Sequence, residues 1–428
     1  MRVLFTVFAV KTHMYNLVPL AWALRAAGHE VCVASHPDLA EAITRTGLTA
    51  VPVGDPLSMG GAGKGPTTQT FQGVSGSMVE DPSDDPSWER VLGTFTVACS
   101  VQYEYLAGLQ VMDDLVEFAQ AWQPDLVVWD ALTFTGAVAA RACGAAHARM
   151  LFGMDYVARM YGRYTELLAA QPPERREDPV TEWTAGRLAR YGVKSGPEDT
   201  LEMLTGQWTI DPTPSWMQFR LPLPYLPVRL VPFNGPTTAP DWVREPAARP
   251  RVCLSLGMSG RDQLGGDLLS IGDLLDALAD FDIELVATLD SRQLAGTSAL
   301  PDNVRPVDFV PLNDLLPTCA AAIHHGGFGT VGSVLTHGVP SITIPAPWWD
   351  ETDLGRRIAA RGAGFLMDPH RPDLDALRDH LRRLLDDPSF TARAADVRAD
   401  LLATPSPHDL VPELERRARS YRTRQGDR

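Results

Sequence analysis

The sequence predicts an α/β protein made of two doubly wound, parallel-sheet halves in tandem. Three observations predict it. Strand and helix patterns alternate through roughly the first 150 residues, a proline-dense stretch runs from Pro212 to Pro250, and a second alternating series follows. The chain has 428 residues, a length that suits about two domains.

In the first half, Arg2–Phe8 is a short apolar run rich in β formers. Leu17–Ala27 repeats apolar residues at helical spacing, with Gly28 as its C-terminal cap. Val31–Ala34 is strand-like, Pro37–Thr46 is a helix opened by proline and closed at Gly47, and Thr49–Val53 is again strand-like. Asp125–Trp129 reads as a buried strand, followed by a helix over Phe134–Ala142. Such βαβ alternation calls for a parallel sheet with right-handed crossovers. Residues 55–87 break the pattern. They are rich in Gly, Ser, Pro, Thr and Asp and read as a mobile loop of functional length. The GGAGKGP run inside it fails the phosphate-loop pattern, because Gly65 follows Lys64 and no strand precedes it.

The prolines between Pro212 and Pro250 cannot all sit in helices or inner strands, so this stretch reads as an extended connection. Strand patterns then recur at Val252–Leu256, Glu284–Leu289, Val304–Val310, Ala320–His325 and Ser341–Pro345, with helices at Leu268–Ala279 and Thr330–Thr336. From Leu374 the chain reads as three helical pieces, the last opened by Ser406–Asp409. The expected division is a first domain over 1–225, a linker over 226–249, a second domain over 250–405, and a final helix over 406–428 packing back on the first domain.

Composition narrows the function. The net charge is −15, with 53 acidic against 38 basic side chains, which opposes a large nucleic-acid footprint and docking on an anionic membrane. No apolar run approaches the roughly 20 residues of a membrane span, and MRVLFTVFAV reads as a buried strand rather than a signal peptide. The five cysteines are scattered and never form a CxxC pair, as expected of thiols in a reducing cytosol, so a cytoplasmic location is expected. His36, His147, His337, His370, His380 and His408 lack metal-ligand spacing, so no metal and no other cofactor is expected. The absence of a Gly-x-Ser-x-Gly elbow disfavours a serine hydrolase.

The strongest local signal lies in AAAIHHGGFGTVGSVLTHGVPSITIPAPWWDE, residues 320–351. A strand runs into His324 and His325, and Gly326, Gly327 and Gly329 then open a helix. Glycines there let backbone N–H groups approach an anion, and the helix start adds partial positive charge. Gly327, Gly329 and Gly332 also satisfy G-x-G-x-x-G, with Asp350 about 20 residues on. That keeps an NAD-dependent oxidoreductase open, although the fingerprint usually lies in a first βαβ unit. In the first half, His13 follows the first strand, where the sheet's carboxyl edge should face a cleft. An imidazole, with a reference pKa of about 6.5, can take a proton there. Asp130 ends the strand DLVVWD and should share that edge. A carboxylate would orient the imidazole and stabilise its charged form.

These residues resemble the donor-binding signature of GT-B-fold, nucleotide-sugar-dependent glycosyltransferases. More narrowly, they resemble the actinobacterial enzymes that place deoxysugars on polyketide antibiotics. The likeness runs through MRVLFT, THMYNLVPLAWALRAAGHEV, WQPDLVVWD, TIDPTPSWM, VPFNGP, DFVPLNDLLPTC, HHGGFGT and SPHDLVPELERRA. Within that group the chain is most similar to anthracycline and macrolide transferases that use amino-deoxysugars.

The resemblance implies two Rossmann-like domains facing across a cleft and inverting transfer from a dTDP-sugar. His13 would be the base and Asp130 its partner. His325, the N–H groups of Gly326, Gly327, Gly329 and Thr330, and the Thr330 hydroxyl would hold the diphosphate. Phe309 would stack on the base and Val310 would read its pyrimidine edge through the backbone. Ser255, Gly257 and Ser259 would flank the leaving group, and Asp350 and Glu351 would contact sugar hydroxyls. Met14, Tyr15, Met154 and Trp349 are candidates for the acceptor side. The usual acidic-amide pair is Asp-Gln, so Glu351 is a departure. Beside Trp348 and Trp349 it would suit a sugar carrying an ammonium, by charge pairing and cation–π contact. A haem-less, cytochrome-like auxiliary protein and a homodimer are also implied. A nucleotide-sugar epimerase or a non-catalytic sugar-nucleotide binder on the same fold stays open.

Overall fold

The computed structural model describes residues 1–57, 78, 87–106, 108–257, 270–294, 300–346, 348–368, 371 and 373–425. Ser259, most of the 55–87 loop with its GGAGKGP run, and the start of the helix expected at Leu268 lie outside the described residues. The chain divides into two compact units, Met1–Arg229 with Pro405–Arg428, and Leu230–Thr404.

The first unit carries a seven-stranded sheet. Its strands are β1 (Arg2–Thr6), β2 (Glu30–Ser35), β3 (Thr49–Pro52), β4 (Leu126–Asp130), β5 (Ala146–Met150), β6 (Trp208–Asp211) and β7 (Tyr225–Pro227), in the order β3-β2-β1-β4-β5-β6-β7. Every neighbour pairs parallel. β4, LVVWD, is buried along its whole length, as a strand covered on both faces must be. The second unit repeats the plan with β8 (Arg251–Ser255), β9 (Glu284–Thr288), β10 (Val304–Val307), β11 (Cys319–His324), β12 (Ser341–Thr343) and β13 (Gly364–Leu366), in the order β10-β9-β8-β11-β12-β13. Its core gathers Leu254, Leu285, Ile323, Ile342, Leu377 and Leu381. In both sheets the strand order reverses at the first strand, between β1 and β4 and between β8 and β11. Ligands of open α/β sheets bind at the carboxyl ends of strands at such switch points.

Several boundaries differ from the sequence expectation for identifiable reasons. The first helix spans Lys11–Ala26 rather than starting at Leu17. Its opening turns carry Lys11, Thr12, His13 and Asn16, which hide the apolar period, so His13 sits in the first turn of a helix. The helix expected at Thr330 starts at Phe328, with Gly327 as its cap; glycines weigh against a helix locally, and tertiary contacts override them. β5 was not foreseen because its AHARM sequence looks polar, yet His147 and Arg149 in it are wholly buried. β10 stops at Val307, leaving Phe309 and Val310 on the loop beyond it. The first residues of the expected linker, Leu226 and Pro227, belong to edge strand β7, a place that tolerates proline.

The Pro407–Gln425 helix belongs to the first unit. Leu410, Val411, Leu414 and Ala418 are buried, and the Tyr421 ring lies 5.5 Å from that of Trp208. The Arg229 N–H donates to the Pro405 carbonyl at 2.7 Å, so the segments leaving and re-entering the first unit run side by side. Among the described residues no helix is long and apolar enough to cross a membrane.

Candidate active site

In the first unit a candidate site forms where β1 and β4 end together, with Thr6 paired to Trp129. The chain bends after β1, held by the Phe8 N–H donating to Thr133 Oγ1 at 3.1 Å, and then enters the Lys11–Ala26 helix. That bend carries His13 back over the sheet edge, where its Nδ1 lies 2.8 Å from Asp130 Oδ2. Asp130 is 2% exposed, and its other oxygen accepts from the Leu132 N–H at 3.1 Å. A carboxylate so placed assigns the proton of His13 to Nδ1 and leaves Nε2 as the acceptor. The His13 ring packs against two phenylalanines, its centroid 4.5 Å from that of Phe8 and 4.1 Å from that of Phe152. Beside it Phe8, Val10, Leu57 and Leu106 form a small apolar cluster joined by Leu132 and Tyr105, whose hydroxyl donates to the Leu57 carbonyl at 2.9 Å.

Of the acceptor-side candidates in this unit, Met14 and Met154 are 1% and 2% exposed and pack as core residues. The helix and loop that carry them turn these side chains inward. Tyr15 is half-buried, and burial raises its phenol above the usual range. Phe8 and Phe152, which touch the imidazole, were missed; neither stands in a motif, and only the fold brings them together.

In the second unit a candidate site forms where β8 and β11 end, with Ser255 paired to His324. The His325 N–H donates to the Ser255 carbonyl at 3.3 Å. Gly257 and Gly326 adopt left-handed backbone at φ +85° and +92°. A Cβ on Gly257 would lie 2.5 Å from the His325 ring, and one on Gly327 would lie 2.3 Å from it. These two glycines therefore make room for the imidazole. The Gly326 N–H donates to His324 Nδ1 at 3.1 Å. Burial pushes His324 down to about 3 and His325 down to about 4, so both rings are neutral at pH 7. His325 Nδ1 is enclosed and has no hydrogen-bond partner among the described residues. The Phe328–His337 helix then starts at Gly327, whose carbonyl accepts from Thr330 and Val331 at 3.0 Å each. Its first N–H groups have no partner within the helix. Gly332 serves packing, since a Cβ there would lie 1.8 Å from Leu230 Cδ2.

Gly326 also abuts the Glu351–Ala360 helix, for its Cβ would come within 2.9 Å of Glu351 Cβ. Asp350 is 3% exposed and Glu351 7% exposed. The Glu351 carboxylate turns back to accept the Trp349 N–H at 2.7 Å, and burial pushes it up to about 7. Trp348 and Trp349 are half-buried. Phe309 is 41% exposed, whereas the Val310 side chain beside it is buried. The structure thus brings Ser255, Gly257, His325, Gly326, Gly327 and Glu351 into one cluster, and His13 with Asp130 into another.

The chain matches the model of the erythromycin biosynthesis protein CIII-like N-terminal domain over residues 22–257 and that of the corresponding C-terminal domain over residues 272–416. It is 48% identical over 438 residues to the aclacinomycin-T 2-deoxy-L-fucose transferase of Streptomyces galilaeus, covering 100% of this chain and 98% of that protein. It is 46% identical over 423 residues to the 10-deoxymethynolide desosaminyltransferase of Streptomyces venezuelae, covering 99% and 98%. The crystal structure of the glycosyltransferase VinC in complex with dTDP superposes with a TM-score of 0.88 at 43% identity, over 98% of this chain and all of that one. This kinship displaces the NAD-dependent oxidoreductase reading of Gly327–Gly332. Two parallel-sheet units, each with its site at a switch point, are the GT-B architecture, and the chain belongs to the erythromycin biosynthesis protein CIII-like family of glycosyltransferases.

Proposed function

We propose that this glycosyltransferase moves a deoxysugar from dTDP to a hydroxyl of a polyketide aglycone, with inversion, and that His13 is its general base. The observation that carries the reading is the 2.8 Å His13–Asp130 pair at the β1/β4 switch point. His13 Nε2 takes the acceptor proton as the oxygen attacks the anomeric carbon, and Asp130 stabilises the imidazolium that forms. One displacement inverts the anomeric centre. The departing diphosphate is met by the N–H groups of Gly327 and Gly329, by the Thr330 hydroxyl, and by His325, which donates as a neutral ring. Phe309 stacks on the thymine. The names of the relatives support the substrate classes, and the dTDP bound to VinC supports the nucleotide. The homodimer and the auxiliary protein belong to the same proposal; dependence on an auxiliary would show as turnover only when it is added.

The donor sugar is an amino-deoxysugar on the strength of Glu351 beside Trp348 and Trp349. A neutral deoxysugar is the second reading, favoured by the relative named for 2-deoxy-L-fucose, a sugar without nitrogen. Glu351 separates them, because ionised it pairs with an ammonium and protonated it donates to a hydroxyl as an amide would. Calorimetric titration with dTDP, UDP and NAD comes first. Preferential dTDP binding, weakened about tenfold or more by His325→Ala, is expected. NAD binding without dTDP binding would overturn the proposal. Turnover of paired amino and neutral donors from pH 6 to 8 comes second. The amino donor should gain as pH rises through about 7 and Glu351 ionises; equal profiles would remove the ammonium reading.

A further inference from the structure

We infer that Phe152, against the fixed wall of Phe8, is a positioning residue for the general base, an inference that rests on the assignment of His13 as that base. The bond to Asp130 fixes one atom of the imidazole, Nδ1, and leaves the ring free to tilt about the Nδ1···Oδ2 line. Nε2 lies off that line, so the direction of its lone pair changes with the tilt. The Phe8 ring at 4.5 Å and 61° and the Phe152 ring at 4.1 Å and 51° both pack against the imidazole and so restrict that tilt and the direction of Nε2.

Phe152 can act as a wall because its own loop is pinned at both ends. The Leu151 N–H donates to the Ile210 carbonyl at 3.0 Å, and Thr213 Oγ1 donates to the Gly153 carbonyl at 3.0 Å. Asp155, two residues further, takes both ends of the buried Arg149 guanidinium and the Tyr225 hydroxyl, the latter at 2.7 Å. It also caps the Tyr156–Ala170 helix through the Ala158 N–H at 3.1 Å. Arg149 is anchored in turn on Thr209 Oγ1. The TIDPTPSWM segment therefore reaches the imidazole through one rigid loop and one ring. Phe8 is held by its own N–H bond to Thr133.

The test is a kinetic cycle on the whole enzyme with its sugar donor and acceptor. Phe152→Leu should lower kcat about 10- to 100-fold, the size of a small misplacement of a reacting group. The dTDP affinity and the acceptor KM should hold within about twofold. Phe152→Tyr, which keeps the ring, should retain most of the rate. In a His13→Ala background Phe152→Leu should change kcat less than about twofold, since residues that act as a unit are not additive. If Phe152→Leu does not fold, Phe152→Met, which fills the volume without a planar face, carries the same expectation. A loss that persists in the His13→Ala background, or that falls on acceptor KM alone, would make Phe152 an acceptor contact and overturn the inference. Full activity in His13→Ala would instead remove the base assignment itself.

Discussion

At the residue scale, the candidate sites of the two units hold histidine in opposite settings. His13 is part-exposed and paired to a buried carboxylate, the arrangement its proposed role as base requires. His324 and His325 are enclosed and kept neutral, so in the proposed reaction His325 would offer the diphosphate an N–H rather than a charge. A neutral donor suits a leaving group that must also depart. His13→Ala should lower kcat by about 10² to 10⁴ while dTDP affinity stays unchanged. Asp130→Asn should cost a comparable factor by losing the tautomer and the stabilised imidazolium, and the double variant should be little worse than either single one. Steady-state rates beside dTDP titrations check all three, and additive losses would mean that the pair does not act as a unit.

At the scale of single elements, the turn between β11 and the Phe328–His337 helix is built from constraints that glycine alone meets. Gly326 has φ +92°, and a Cβ on it would press against Glu351 and Thr343 at 2.9 to 3.0 Å. Gly326→Ala should therefore destabilise the second unit by about 1–3 kcal/mol through strain and overpacking. It should also weaken dTDP binding, because the N–H groups that would cradle the diphosphate move with the turn. Denaturant unfolding followed with and without dTDP checks both effects; an unchanged midpoint would show that the backbone relaxes freely. Gly329 has open space where its Cβ would be, so packing does not demand glycine there; in the proposed reaction it would let the diphosphate approach.

At the scale of the whole molecule, stability depends on buried carboxyls as well as on the two cores. Asp211, 4% exposed at the end of β6, is pushed up to about 8, chiefly by burial and further by the nearby Asp155 charge. Folded, it keeps a proton that the unfolded chain releases near 3.8, so its contribution is full at low pH and is lost as pH rises toward 8. The melting temperature should accordingly fall between pH 6 and pH 8. Asp211→Asn, which keeps a carbonyl for the Thr213 N–H, should flatten that slope. An identical slope in the variant would mean that Asp211 ionises freely in the fold. The closing Pro407–Gln425 helix ties distant chain segments together, with Glu415 3.0 Å from His29 and the Arg417 guanidinium 5.5 Å from the Trp208 ring.

How much of this was legible in the chain itself follows from the range of the forces involved. Periodicity and turn residues are local, so the βαβ alternation, β1, β2, β4 and the strand–glycine–helix run at 319–337 could be read directly. The glycines after His325 were readable because left-handed backbone and close approach demand that residue type. Contacts across the sheet were not readable from local pattern. His13 and Asp130 are 117 residues apart, and only the parallel pairing of β1 with β4 brings their ends together. β5 was hidden because Arg149 and His147 look exposed until Asp155 and Glu202 are placed beside them. The place of Phe152 beside the imidazole, and the burial of Met14 and Met154, were hidden in the same way. A side chain's direction depends on which elements pack around it, and that is a property of the closed structure.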